Sequence, residues 1–148
     1  MNDVATRALS HWNAKWLCAE SVSRALAEDL GLDAGCLPRA ATAFCSGLSR
    51  SGGMCGALAG AVLAIGLATG RDSPEDSLEI PYALTQELLA SFRESFGSDN
   101  CVELLGCHLG TPEGQKIFAE RGLRDSHCAR YIAFAAEKGR ELIRDAVS

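Results

Sequence analysis

No two cysteines of this chain stand in a Cys-x-x-Cys pair, which excludes both a thioredoxin-type couple and the knuckle spacing of zinc fingers. There is no surplus of basic residues either. The formal charge of −5 argues against the broad positive surface that phosphate-backbone binding needs, so nucleic acid is excluded as a partner. No segment alternates polar and apolar residues convincingly enough to make a sheet. The opening stretch MNDVATRALSHWNAKW has no basic region followed by an apolar core and a small-residue cleavage site, so no secretory leader is expected. Gly53, Gly56 and Gly60 imitate a nucleotide loop in spacing, but no strand precedes them and no Lys-Ser/Thr follows.

What is present is a chain of 148 residues, the size of one domain, with 47% apolar and 22% charged residues. No repeat or composition break divides it, so one domain over residues 1–148 is expected. Missing a leader, the protein is expected in the cytoplasm, where thiols stay reduced. Seven cysteines is a high, odd number for such a compartment, and a disulfide-stapled scaffold explains it poorly. Gly52 to Gly70 carries no charge, but it is rich in Gly and Ala and the other segments are amphipathic. It reads as a buried central helix, with no membrane span.

The periodicity is helical almost throughout, and the fold class expected is an all-α bundle around that central helix. Asp3 can cap a first helix running to about Leu30, with Gly31 as its stop. A short helix from Pro38 to about Ser46, a loop over GLSRSGG, and the central helix from about Met54 to Thr69 follow. Pro81 can open a fourth helix ending at Gly97. Ser98-Asp99-Asn100 and Thr111-Pro112-Glu113 are caps for two short helices, and Ser126 for a last one. Gly56, Gly60 and Gly66 each cost about 1 kcal/mol relative to alanine inside a helix. A helix that keeps them is approached closely by another backbone or by a ligand.

Three cysteines fall at expected helix starts: Cys55, Cys101 and Cys128. Free N–H groups there favour a negative sulfur, and the thiolate is both nucleophile and metal ligand. The glycines before Cys55 allow an abrupt turn that points N–H groups inward, which makes Gly53 and Gly56 candidate cofactor-binding positions. Cys55 is the expected attacking thiol, reactive below the pH of an ordinary cysteine. On periodicity alone Cys18 is a packing residue in mid-helix. Cys36 and Cys45 read as space-filling, and His108 and His127 as exposed polar residues.

The order Cys18, Met54-Cys55-Gly56-Ala57-Leu58-Ala59-Gly60, Cys101-Val102-Glu103-Leu104-Leu105-Gly106, Cys128 resembles the C_GCAxxG_C_C family of redox-active proteins. The likeness extends over the GLATGR stretch at 66–71 and LLGCHLGTPEG at 104–114, roughly Trp16 to Ala146 in all. One departure is Met54, where the family motif has glycine before its cysteine. The resemblance implies a compact helical protein whose four signature cysteines, here Cys18, Cys55, Cys101 and Cys128, carry redox function. A related domain of a bacterial cytochrome is associated with an iron–sulfur centre. Four converging sulfurs suit an iron–sulfur cluster or, alternatively, zinc, with Cys107 as a substitute ligand or resolving thiol. They also suit a thiol/disulfide couple that serves a redox partner protein. Two further readings remain beside these. One is a structural zinc protein; the other is a helical interaction module, for instance a homodimer, with inert buried cysteines.

Overall fold

The computed structural model describes residues 3–148. Met1 and Asn2, the first two residues of the stretch read for a leader, lie outside the described residues. The elements are α1 (Val4–Asn13), α2 (Cys18–Leu30), a 3-10 segment (Arg39–Phe44), α3 (Cys45–Arg50), α4 (Gly56–Thr69), α5 (Glu79–Phe96), α6 (Cys101–Leu105), α7 (Pro112–Glu120), a π turn (Arg124–Cys128) and α8 (Ala129–Val147). The architecture is all-helical, as expected.

Helix α4 is the centre, packed between α2, α5 and α8. Leu58 and Ile65 of α4 are fully buried together with Leu26, Leu88, Phe92, Ile132 and Ile143 from its neighbours. At 14 residues α4 spans about 21 Å, short of the ~30 Å hydrocarbon layer. No helix among the described residues is long and apolar enough to cross a membrane. Phe92, Phe96, Tyr131 and Phe134 form a tilted and edge-on aromatic cluster between α5 and α8. The Arg140 guanidinium donates to Asp29 at 2.6 Å, fastening α8 to α2.

Several caps fall where the sequence placed them. Asp3 accepts from the Thr6 N–H, Asn100 from Val102 and Glu103, and Thr111 from Gly114, while Gly31 and Gly97 end their helices in the left-handed conformation.

Other boundaries differ, and two of the differences move cysteines. The first expected helix is two. The chain breaks at Ala14–Leu17, with Lys15 at φ 81°, and restarts where the buried Glu20 carboxylate accepts from the Leu17 N–H at 2.9 Å and the Thr42 hydroxyl at 2.8 Å. Cys18 is therefore a first-turn residue and not a mid-helix one. Ser126, by contrast, caps nothing. Its hydroxyl pairs with His127 Nδ1, and helical backbone begins right after Gly122, at φ 61°, so Cys128 sits one wide π turn inside the helix. Two further shifts are smaller: the segment expected as the second helix is a 3-10 segment, and α5 opens at Glu79, ahead of Pro81.

The GLSRSGG stretch is not a loose loop. Ser46, Gly47, Leu48, Ser49 and Arg50 all have φ between 57° and 66°, so α3 closes in a left-handed turn. For residues with a side chain this costs about 1–2 kcal/mol each, and such strain collects at functional positions.

The glycines of α4 separate cleanly into two kinds. A Cβ on Gly60 would lie 2.7 Å from the Ala19 carbonyl oxygen and 3.0 Å from its Cα, so this glycine lets the α2 backbone touch α4. Gly66 has open space at the same position. Gly66→Ala should stabilise the protein by about 1 kcal/mol through helix propensity alone. Gly60→Ala should destabilise it by about 1–3 kcal/mol despite the same gain, because backbone has to move. Chemical denaturation of the two variants reads both signs.

Candidate functional site

Two short stretches of chain lie side by side at the head of α4. Met54 and Asn100 form an isolated antiparallel bridge. The Cys55 N–H donates to the Asp99 carbonyl at 2.8 Å, and the Cys101 N–H to the Gly53 carbonyl at 2.9 Å. Asn100 completes the join, since its side-chain N–H donates to the Gly52 carbonyl at 2.7 Å while its oxygen caps α6. Backbone hydrogen bonds thus set Cys55 and Cys101 together. Nothing in the sequence pattern announces this pairing, because it involves too few residues to alternate.

Cys18 reaches the same place through Gly56. A Cβ at position 56 would overlap the Cys18 sulfur, so the glycine after the motif cysteine is the space that this sulfur occupies. The Ser46 N–H points at Cys18 Sγ from 3.5 Å. Cys101 is accommodated in a similar way, since a Cβ on Gly47, in the left-handed turn, would overlap its side chain. Cys128 enters from the π turn that leads into the last helix.

These approaches meet at one cavity of ≈ 300 Å³. Cys18, Cys55, Cys101 and Cys128 all line it, between the largely apolar walls of Trp12, Leu105, Phe118 and Tyr131. Gly56 lines it too. Gly53 does not; its N–H and C=O are spent on Gly47 and Cys101. Cys107 is buried behind the wall, close enough for its charge to be felt by both Cys101 and Cys128. His108 and His127 stay outside, the first accepting from the Gly110 N–H and the second paired with Ser126. Cys36 is exposed and remote, and Cys45 is buried beside Cys18. All seven cysteines are free.

Among the described residues no three Cys, His, Asp or Glu side chains are already arranged around a single ion. Polar groups also stand at the cavity. Arg124 stacks over the Trp12 ring, 4.1 Å from its centroid, donates to the Trp12 carbonyl, and lies beside Cys128; Arg50 is the second cation. The Trp12 indole N–H is buried without a hydrogen-bond partner.

Burial dominates the acidity of the thiols. Cys55 is pushed up to about 12, Cys128 to about 12 and Cys101 to about 11, in each case chiefly by loss of water. The N–H groups of Leu58 and Ala57, in the first turn of α4, do favour a Cys55 thiolate, and Arg124 favours one at Cys128, but both effects are smaller. The expected readily ionised Cys55 is thereby corrected: desolvation outweighs the helix start.

The C_GCAxxG_C_C family, described as a putative redox-active protein, matches residues 16–142. The chain belongs to this family. No curated protein and no solved structure matches it. The C_GCAxxG_C_C signature therefore acquires a spatial meaning in this chain. Cysteines from Cys18 near one end of the matched region to Cys128 near the other line one cavity, and the final glycine of the motif, Gly60, is what lets α2 bring Cys18 to it.

Two outcomes follow from the acidities. Thiol alkylation at neutral pH should modify the exposed Cys36 first, while Cys55 reacts in the folded protein only as the pH approaches 12. Folding stability should be level below the ordinary cysteine pKa of about 8.5 and fall from there towards pH 12. Over that interval the unfolded chain sheds thiol protons that the folded chain retains, so raising the pH favours unfolding. Urea midpoints measured across the interval test the sign.

Proposed function

We propose that this redox-family protein holds an iron–sulfur cluster through Cys18, Cys55, Cys101 and Cys128. The observation that carries the reading is the ≈ 300 Å³ cavity that these four residues share. Four cysteines are the number that ligates an iron–sulfur cluster, and Cys18, Cys55, Cys101 and Cys128 supply it at one cavity. The surroundings support the same reading. Arg124 offsets negative charge at Cys128, Trp12 at the wall has a buried N–H without a partner, and most of the lining is apolar. Bound there, such a cluster stores and passes on a single electron, and the counterpart would be a redox partner protein. A compartment that keeps thiols reduced, such as the cytoplasm, fits seven free cysteines.

The chain's own part is to give up thiol protons and present the four cysteines to one cavity. With three thiols raised by burial, loading should release protons, and more completely at higher pH. Protein purified without oxygen should contain iron together with acid-labile sulfide and absorb visible light. Cys55→Ala should lower both contents at least tenfold while helical circular dichroism persists, and Cys36→Ala should leave both unchanged. Zinc without sulfide, or neither metal nor sulfide, would overturn the reading.

A further inference from the structure

A fifth sulfur adjoins the site without lining it. Cys45 is 2% exposed and forms a buried cluster with Ala19 and Ala41, against which Cys18 packs. Two contacts place the two cysteines next to each other. The N–H of Ser46, the residue after Cys45, points at Cys18 Sγ from 3.5 Å. The Cβ that Gly56 lacks would overlap the Cys18 sulfur and lie 3.2 Å from the Cys45 Cα, so both residues press on the same small volume. The two differ in access, since Cys18 lines the cavity and Cys45 does not.

We propose that Cys18 and Cys45 form a reversible intramolecular disulfide, with Cys18 as the attacking and Cys45 as the resolving residue. The oxidant is a small disulfide of the glutathione type that reaches the half-buried Cys18 from outside the cavity. The Cys18 thiolate attacks one of its sulfurs, forming a mixed disulfide and expelling one thiolate, which takes up the Cys18 proton. Cys45 then gives up its proton and attacks the Cys18 sulfur. That bond breaks, and the second small thiol leaves with the proton. Two protein thiols are oxidised to one disulfide and one small disulfide is reduced to two thiols.

The new bond would tie the head of α2 to the start of the left-handed turn, whose Ser46, Gly47 and Arg50 line the cavity. It would also occupy Cys18. The consequence for a bound cluster rests on the function proposed above; the disulfide itself does not. Cluster assembly would then require prior reduction of the pair.

The test is to treat the full-length reduced protein with oxidised glutathione, alkylate it under denaturing conditions and map the linked peptides. The expected result is one Cys18–Cys45 peptide, with both of these thiols lost from the seven beside any glutathione taken up by the exposed Cys36, and no glutathione retained on Cys18. Cys45→Ser should instead keep one glutathione on Cys18. Cys18 found linked to another cysteine, or no Cys18–Cys45 peptide in the wild type, overturns the proposal, and this map decides even if the variant does not fold. Iron and sulfide in the reduced protein report on the cluster separately, so the two readings fail independently.

Discussion

The Cys18 sulfur occupies the space that any side chain at position 56 would fill, and much of the architecture follows from that close approach. For the sulfur to lie there, α2 has to begin at Cys18 and run against α4 with almost no gap, which Gly60 permits by leaving room for the Ala19 backbone. The buried Glu20 holds the start of α2 in place through Leu17 and Thr42. Small residues in the central helix cost helix propensity, and in exchange they bring a backbone and a sulfur closer than any larger residue allows.

A second constraint acts from the opposite side. The left-handed turn at Ser46–Arg50 places Gly47 against Cys101, and the bridge between Met54 and Asn100 sets Cys101 beside Cys55. Four residues with side chains adopt a conformation there that they ordinarily avoid. Strain of this kind persists only where the surrounding contacts over-determine it, and here those contacts include two of the four signature cysteines. The same packing withdraws the sulfurs from water. Burial thereby holds the Cys55, Cys101 and Cys128 thiols above the ordinary cysteine range.

The four signature cysteines came from the family resemblance, whereas the local pattern of the sequence carried the helical class, the central helix and most caps. It carried them because periodicity, capping residues and Gly/Pro punctuation are local signals. The break between α1 and α2 was hidden, since Asn13-Ala14-Lys15-Trp16 contains neither glycine nor proline; the one trace of it is Glu20, three residues after Leu17. That break decides whether Cys18 is in mid-helix or in a first turn. Ser126 misled in the other direction, being a good cap residue that forms a side-chain pair with His127. The left-handed turn was invisible because Leu48 and Arg50 have no preference for it, and the acidity of Cys55 was misjudged because burial is a tertiary property. What local pattern omits in each case is contact between distant segments.

The central claim is that four sulfurs enclose one site, and anomalous diffraction at the iron edge from crystals grown without oxygen tests it most directly. The account predicts a single iron-containing peak inside the cavity, bounded by Cys18, Cys55, Cys101 and Cys128. An iron peak elsewhere, or any of these sulfurs pointing away from the cavity, would contradict it.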